Sequence, residues 1–233
     1  MTTTSVQENL ARIQERIAGA AARAGRPAEE ITLIGVSKTH PASAIREAYE
    51  AGIRHFGENR VQEWEGKRAG TEGLVATWHL IGHLQSNKTA RAARLFHCVD
   101  SVDDSAIARR LDRARDEAGI TGRLRMLIEV HIAPEEAKSG VEINELPALA
   151  ERCAELPRVQ LAGLMCIPPF LEDAEKVRPY FRRLRELRDE LSGKLKIELP
   201  VLSMGMSHDF EVAIEEGATE VRVGTALFGA REV

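Results

Sequence analysis

The chain has 233 residues, 43% of them hydrophobic, with a formal net charge of −4 and 3 cysteines. That is enough apolar material for one sizeable core, and it argues against disorder; the acidic balance argues against a nucleic-acid surface. No apolar stretch approaches the ~20 residues of a membrane helix, the start Met1–Leu10 has no basic-then-apolar leader, and Cys98, Cys153 and Cys166 are too scattered for a disulfide framework or metal-ligand spacing. A soluble, reduced, cytoplasmic protein is expected.

Leu10, Ile13, Ile17, Ala20, Ala21 and Ala24 form one helical stripe, which Gly25 and Pro27 stop. The run 31–37 is short, apolar and β-branched, which predicts a strand buried on both faces. Pro41 opens a helix carrying Ala44, Ile45 and Ala48 that ends near Gly52. The alternation then repeats. Further strands are predicted at 53–56 (running into Gly57-Glu58-Asn59), 76–82, 95–99, 125–131, 161–167, 199–204 and 220–224. Between them lie helices around Val61 and Trp64, over 85–95, and around Ile107 and Leu111, the last capped by residues 100–103. A charged amphipathic helix over 174–191 reads as a solvated face with i,i+4 pairs.

Strands alternating with helices imply parallel pairing through right-handed crossovers. About eight such units favour a closed (β/α)8 TIM barrel, with an open doubly wound sheet as the alternative. No linker or strong repeat interrupts the chain, so 1–233 is expected to be one barrel domain with an extra N-terminal helix packed on it.

Barrels of this kind gather chemistry at the C-terminal ends of their strands. Lys38 ends the first strand, Asn59 follows the second, and His79 lies in the third, with Gln85, Ser86 and Asn87 beyond it. Lys138 and Ser139 follow the fifth, Met165 is near the end of the sixth, and Ser203 and Ser207 belong to the end of the seventh. Arg222, Gly224 and Thr225 close the eighth.

A lysine directly after a buried strand has its stem against apolar walls; partial desolvation favours the neutral amine, the form that attacks an aldehyde. Position alone favours the blander surface lysine at the start of a loop. The far end of the chain changes that balance. Ser203-Met-Gly-Met-Ser207 and Gly224-Thr225 each precede a helix, where successive N–H groups, hydroxyls and a helix dipole make an anion cradle. Ordinary capping is the alternative for each turn, but phosphate sites after the last two strands recur in barrels. Arg222, between Val221 and Val223, needs a partner: Glu58 or Glu129 in an ion pair, or a ring nitrogen of a bound cofactor.

Val36-Ser-Lys38-Thr, His55-Phe-Gly-Glu-Asn59, Gln62-Glu63, Trp78-His-Leu-Ile-Gly82, Leu84-Gln-Ser-Asn-Lys88, Lys138-Ser-Gly140, Gly163-Leu-Met165, Leu202-Ser-Met-Gly-Met-Ser207 and Val221-Arg-Val-Gly-Thr-Ala-Leu-Phe-Gly229 together resemble the YggS/PROSC family of pyridoxal phosphate homeostasis proteins. The match runs from the first strand to the C-terminus. The resemblance implies a fold-type III barrel similar to the N-terminal domain of alanine racemase, with pyridoxal 5′-phosphate (PLP) held as a Schiff base on Lys38. It implies Ser207, Gly224 and Thr225 at the phosphate, Arg222 at the pyridine nitrogen, and Asn59, His79, Met165 and Ser203 lining the pocket. Arg60, His83 and His131 depart from the usual pattern at the rim.

What the family implies is cofactor buffering or delivery, to PLP-dependent apoenzymes among others, with effects on amino-acid and keto-acid balance and no established catalytic residue. The alternative is an amino-acid racemase. An arginine at the pyridine nitrogen weakens the ring as an electron sink. The sequence ends right after the barrel, and its only tyrosines, Tyr49 and Tyr180, lie in helical stretches, so no opposed base is expected. Without the racemases' second domain a monomer is expected. His55, His97 and His131 are scattered and suggest no metal. A barrel binding some other phosphorylated metabolite is the third reading.

Overall fold

The computed structural model describes residues 5–133 and 139–229; Lys138 lies outside them. The first helix, α1 (Val6–Arg23), starts with a capping box between Ser5 and Glu8 and buries Val6, Leu10, Ile13, Ile17, Ala20 and Ala21. The chain then runs β1 (Thr32–Val36), α2 (Ala42–Ala51), β2 (His55–Glu58), α3 (Val61–Arg68), β3 (Thr77–Leu80), α4 (Thr89–Leu95), β4 (Cys98–Val102), α5 (Ser105–Glu117) and β5 (Leu124–His131). It continues through β6 (Val141–Glu142), α6 (Leu146–Ala154), β7 (Val159–Met165), α7 (Arg178–Leu195), β8 (Val201–Met206), α8 (Phe210–Glu215), β9 (Glu220–Val223) and α9 (Thr225–Phe228).

All pairings are parallel, in the order β1-β2-β3-β4-β5-β7-β8-β9, and β9 returns to β1. Eight strands therefore close the expected TIM barrel, while β6 adds a two-residue flap to the end of β5. The extra helix is also where it was expected. Arg16 and Arg23 of α1 reach Glu211 and Glu215 of α8, and Asn9 Nδ2 donates to Leu227 O of α9.

Alternation along the strands sorts the interior into two environments. On β9, Val221 and Val223 join the large apolar shell between strands and helices, together with Phe56, Trp64, Leu111 and Phe181. Glu220 and Arg222 take the opposite face, inside the barrel. A small separate apolar cluster, Leu127, Ala162, Met165 and Val201, comes from β5, β7 and β8 alone.

Five local expectations change. The second strand starts at His55 and includes Gly57 and Glu58. The fourth is Cys98–Val102, and Leu95 ends the preceding helix. Asp100 and Ser101, read as helix caps, are buried strand residues because each has a partner: His79 for Asp100, and the Gly82 carbonyl for Ser101 Oγ. The cap is Asp104, which accepts from the Ala106 N–H. The helix α6 was not anticipated. On α7 the arginines serve less as i,i+4 partners than as a clasp: Arg178, Arg182 and Arg185 converge on Glu216, just past α8.

Candidate functional site

The chain turns immediately after β1. Ser37 continues the ladder through its N–H to Gly57 O, and His40 N–H donates back to Ser37 O at 3.1 Å. Lys38, half-buried, is the second residue of this turn, and Thr39 is the third, with φ 68°. A first-to-fourth hydrogen bond with positive φ at the third residue is the type II pattern, which normally calls for glycine or asparagine there. A β-branched residue in that region costs roughly 1–3 kcal/mol.

The turn is tied from the helix side of the wall. Glu58, fully buried at the end of β2, accepts from Ser37 Oγ at 2.6 Å. Lys67 Nζ, from α3, donates to Ser37 O at 2.9 Å, to Glu58 at 3.1 Å and to Glu63 at 2.6 Å. Glu63 in turn accepts from the Thr39 N–H. Burial pushes the Glu58 carboxyl up, against the pull of Ser37 and Lys67. At Glu63 burial is outweighed by Lys67 and the Thr39 N–H, which hold it below the usual carboxylate range.

The two turns read as an anion cradle face each other. After β8, Asp209 Oδ1 accepts from the Met206 N–H at 2.6 Å and Asp209 N–H donates to Met206 O. Gly205, at φ +91°, is required here: a Cβ would lie 2.6 Å from Ala213 Cβ and 2.8 Å from Phe210 Cα. This turn brings Ser207 Oγ to 3.4 Å from the Ala226 N–H, in the first turn of α9. The Ala226 N–H donates to Ser207 Oγ, so Ser207 and Thr225, two residues with hydroxyl donors, meet at the start of α9. With α8 and α9 only 6 and 4 residues long, these local donors matter more than the helix dipole expected from the sequence.

The cradle adjoins the Lys38 turn. A Cβ on Gly224 would sit 3.4 Å from Val36 Cβ, and the His40 ring stacks on Phe228 with centroids 4.7 Å apart. Arg222, one strand-step inward, donates to Ser203 Oγ and to Cys166 O, each at 2.8 Å. Among the described residues it has no carboxylate at ion-pairing distance. Glu58 belongs to Lys67, and Glu129 accepts from Ser139 Oγ and feels Arg222 only through space. Met165 stands opposite Ser203 in register. Lys38, Met165, Ser203, Ser207, Arg222, Gly224 and Thr225 thus share the arc β7-β8-β9-β1. Cys166 beside it is fully buried, and burial pushes its thiol up to about 12.

Asn59 and His79 belong to the other side. Asn59 is half-buried and lines an open cleft of about 580 Å³ with Arg60, Gln62, His83 and Lys88. His79 is fully buried, with Nε2 3.0 Å from His55 Nδ1 and Nδ1 2.8 Å from Asp100 Oδ2. Both nitrogens are engaged, so it can line a pocket only with its ring carbons and its charge. Arg125 closes this network, 2.6 Å from Glu220 and 3.8 Å from Asp100. Burial opposes a charge on His79, but attraction and a hydrogen bond from Asp100 win and lift it to about 10. Burial and the His79 charge lower His55 to about 4. His79, Cys98 and Asp100 place possible metal-ligand atoms within 4.8 Å of one another. A protonated His79 and the Arg125 cation already occupy that carboxylate, so the cluster reads as an ion network.

The model of the alanine racemase N-terminal domain family matches residues 8–232. A pyridoxal phosphate homeostasis protein of Aquifex aeolicus is 49% identical over 97% of this chain and 98% of that one. The chain belongs to the pyridoxal phosphate homeostasis family. This is the family that the motifs pointed to. Its member PipY of Synechococcus elongatus PCC7942, solved with PLP bound, is 44% identical with a TM-score of 0.82, over 93% of this chain and 100% of that one. An alanine racemase of Clostridium difficile 630 shares the fold at 13% identity, with a TM-score of 0.74 over 98% of this chain and 57% of that one.

Proposed function

We propose that this protein holds PLP as a Schiff base on Lys38 and serves intracellular PLP homeostasis, buffering the cofactor or delivering it to apoenzymes, with amino-acid and keto-acid balance depending on that supply. The observation that carries the reading is the juxtaposition of three groups: a half-buried lysine, a hydroxyl-and-amide cradle at Ser207 and Thr225, and a buried arginine whose partners are neutral. These fit an aldehyde, a phosphate and a pyridine nitrogen. The bound PLP of PipY and the name of the Aquifex relative support it.

When bound, PLP would supply an aldehyde, for which the neutral amine of Lys38 would be the partner. This chain's residues bind and orient. Ser207, Gly224 and Thr225 would hold the phosphate. Arg222, a permanent cation, would lie at the ring nitrogen and disfavour its protonation, which would weaken the ring as an electron sink. Met165 and Ser203 would line the cofactor pocket from the same arc, and Asn59 and His79 from the opposite wall.

The same arrangement favours a carrier over an amino-acid racemase. Tyr49, on α2, has its ring under the Arg54 guanidinium at 4.1 Å, and Tyr180 lies on α7. Neither is placed as an opposed base. Among the described residues no helix is long and apolar enough to cross a membrane. A cytoplasmic monomer is the expected form.

The test is spectral and chemical. The purified protein is expected to be yellow, borohydride to bleach the band, and peptide mapping to find the reduced adduct on Lys38. Lys38→Ala is expected to abolish the adduct with the melting temperature retained. A protein that stays colourless with added PLP, or an adduct trapped on another lysine, defeats the reading. With L-alanine in D2O, neither D-isomer nor α-deuterium is expected.

A further inference from the structure

Type I and type II turns differ by a half-rotation of one peptide, the one between the second and third residues. In the Ser37–His40 turn this is the Lys38–Thr39 peptide, attached directly to the Lys38 Cα. Its N–H, that of Thr39, is the group Glu63 accepts from. Rotating the peptide would break this bond and return Thr39 from φ 68° to negative φ, where a β-branched residue is relaxed. The intrinsic preference of Thr39 therefore favours the other turn, and a carboxylate opposes it.

The remaining bonds fix that carboxylate. An ammonium has three donors, and Lys67 spends them on Glu63, Glu58 and Ser37 O. One cation thus grips the turn at both ends, Ser37 directly and Thr39 through Glu63. Glu58 anchors the cation and also takes the Ser37 hydroxyl. Ser37 points its side chain toward α3, and neighbouring residues of an extended chain face opposite ways, so Lys38 leaves on the barrel side.

We propose that Glu63, Lys67 and Glu58 form a clamp behind the barrel wall that holds the Lys38 turn in its type II form and so positions the Lys38 amine for PLP. This rests on Lys38 being the lysine that binds it. The three are positioning residues: Lys67 and Glu63 touch the backbone on either side of Lys38, and Glu58 reaches it through Lys67 and the Ser37 hydroxyl.

The test is Glu63→Ala in the full chain, with and without PLP. PLP affinity and the rate of adduct formation are expected to fall about tenfold, with the melting temperature of the PLP-free protein unchanged. In that PLP-free protein the Thr39 amide is expected to exchange with solvent faster while the amides of β1 keep their protection. Adding Thr39→Gly, for which positive φ carries no penalty, is expected to recover most of the loss. A general stability role would not be recovered by glycine, so failure to recover overturns the clamp. Should Glu63→Ala not fold, Glu63→Gln keeps an acceptor for Thr39. Wild-type binding with a protected Thr39 amide then supports the clamp, and lost binding with that amide still protected overturns it. Wild-type PLP binding by Glu63→Ala overturns the clamp and leaves Lys38 as the lysine. A borohydride adduct found elsewhere in the wild-type protein overturns the reading beneath it.

Discussion

Two arginines enter the same barrel and are held in opposite ways. Arg125 lies 2.6 Å from Glu220 and 3.8 Å from Asp100, and these carboxylates outweigh burial and push its guanidinium up. Arg222 is buried among a hydroxyl and a carbonyl, at 2.8 Å each. The first charge is neutralised inside the fold. The second is oriented by neutral groups and left to act on whatever lies above it. Glu129 and Asp209 reach Arg222 only through space, and a buried charge without a hydrogen-bonded counter-charge costs stability. The difference separates an ion-paired cation from one held by neutral groups, although both read alike as an arginine within an apolar strand.

Removing Arg125 should have the largest effect on stability. Arg125→Met leaves Glu220 inside the barrel without its cation and Asp100 with His79 alone, and breaking such a buried pair costs ~3–5 kcal/mol. Urea unfolding should show a loss of that order, while borohydride still traps PLP on Lys38. A loss below ~1 kcal/mol would mean that the pair is as weak as an exposed one, and the contrast between the two arginines would collapse.

The next effect is smaller and depends on pH. His79 is raised in the fold from 6.5 to about 10, so its protonated form stabilises the protein. That contribution is complete below pH 6.5 and is lost as pH climbs toward 10. His55 is lowered from 6.5 to about 4 and is kept neutral, so its effect runs the other way. The unfolded chain takes up the His55 proton first, and stability falls as pH drops from 6.5 toward 4. The pair thus peaks near pH 6.5. Denaturant midpoints measured across pH for the wild type and His79→Gln should converge at the alkaline end. Parallel curves there would remove His79 as a titrating member of the network.

These regions also differ in how far the sequence reveals them. The barrel, and the places of Lys38, Ser207 and Thr225 just after its strands, were legible because each depends on order along the chain: apolar runs alternate with helical stripes, and polar residues stand at strand ends. The His79 network was not, because a strand with polar residues on its inward face loses its apolar signature. Asp100-Ser-Val-Asp103 looked like a helix cap and is mostly strand. Only the parallel with Arg222, a charged residue within an apolar run, could have flagged Arg125. In the Lys38 clamp, the Glu63–Lys67 pair has helical i,i+4 spacing that can be read directly. The bonds from Lys67 to Glu58 and Ser37 depend on how α3 packs against the ends of β1 and β2, which no local pattern encodes. Arg222 was recognised as needing a partner, but Ser203 and Cys166 come from strands that only closure of the barrel brings beside it.

Arg222 gives the smallest change in stability and the sharpest test of the comparison. Arg222→Gln removes hydrogen bonds to two neutral groups, worth about 0.5–1.5 kcal/mol each before any gain from losing an uncompensated buried charge. The two terms oppose each other, so urea unfolding of the PLP-free protein should move little. Bound PLP should respond more. Glutamine carries no charge, so if Arg222 is the neighbour of the ring nitrogen, as proposed, the absorbance of the adduct and its dependence on pH should both shift. For Arg125→Met the pattern should invert, with stability lost and the spectrum kept. A spectrum unchanged by Arg222→Gln would mean that this guanidinium does not face the ring, and would make Arg222 a structural residue as much as Arg125 is.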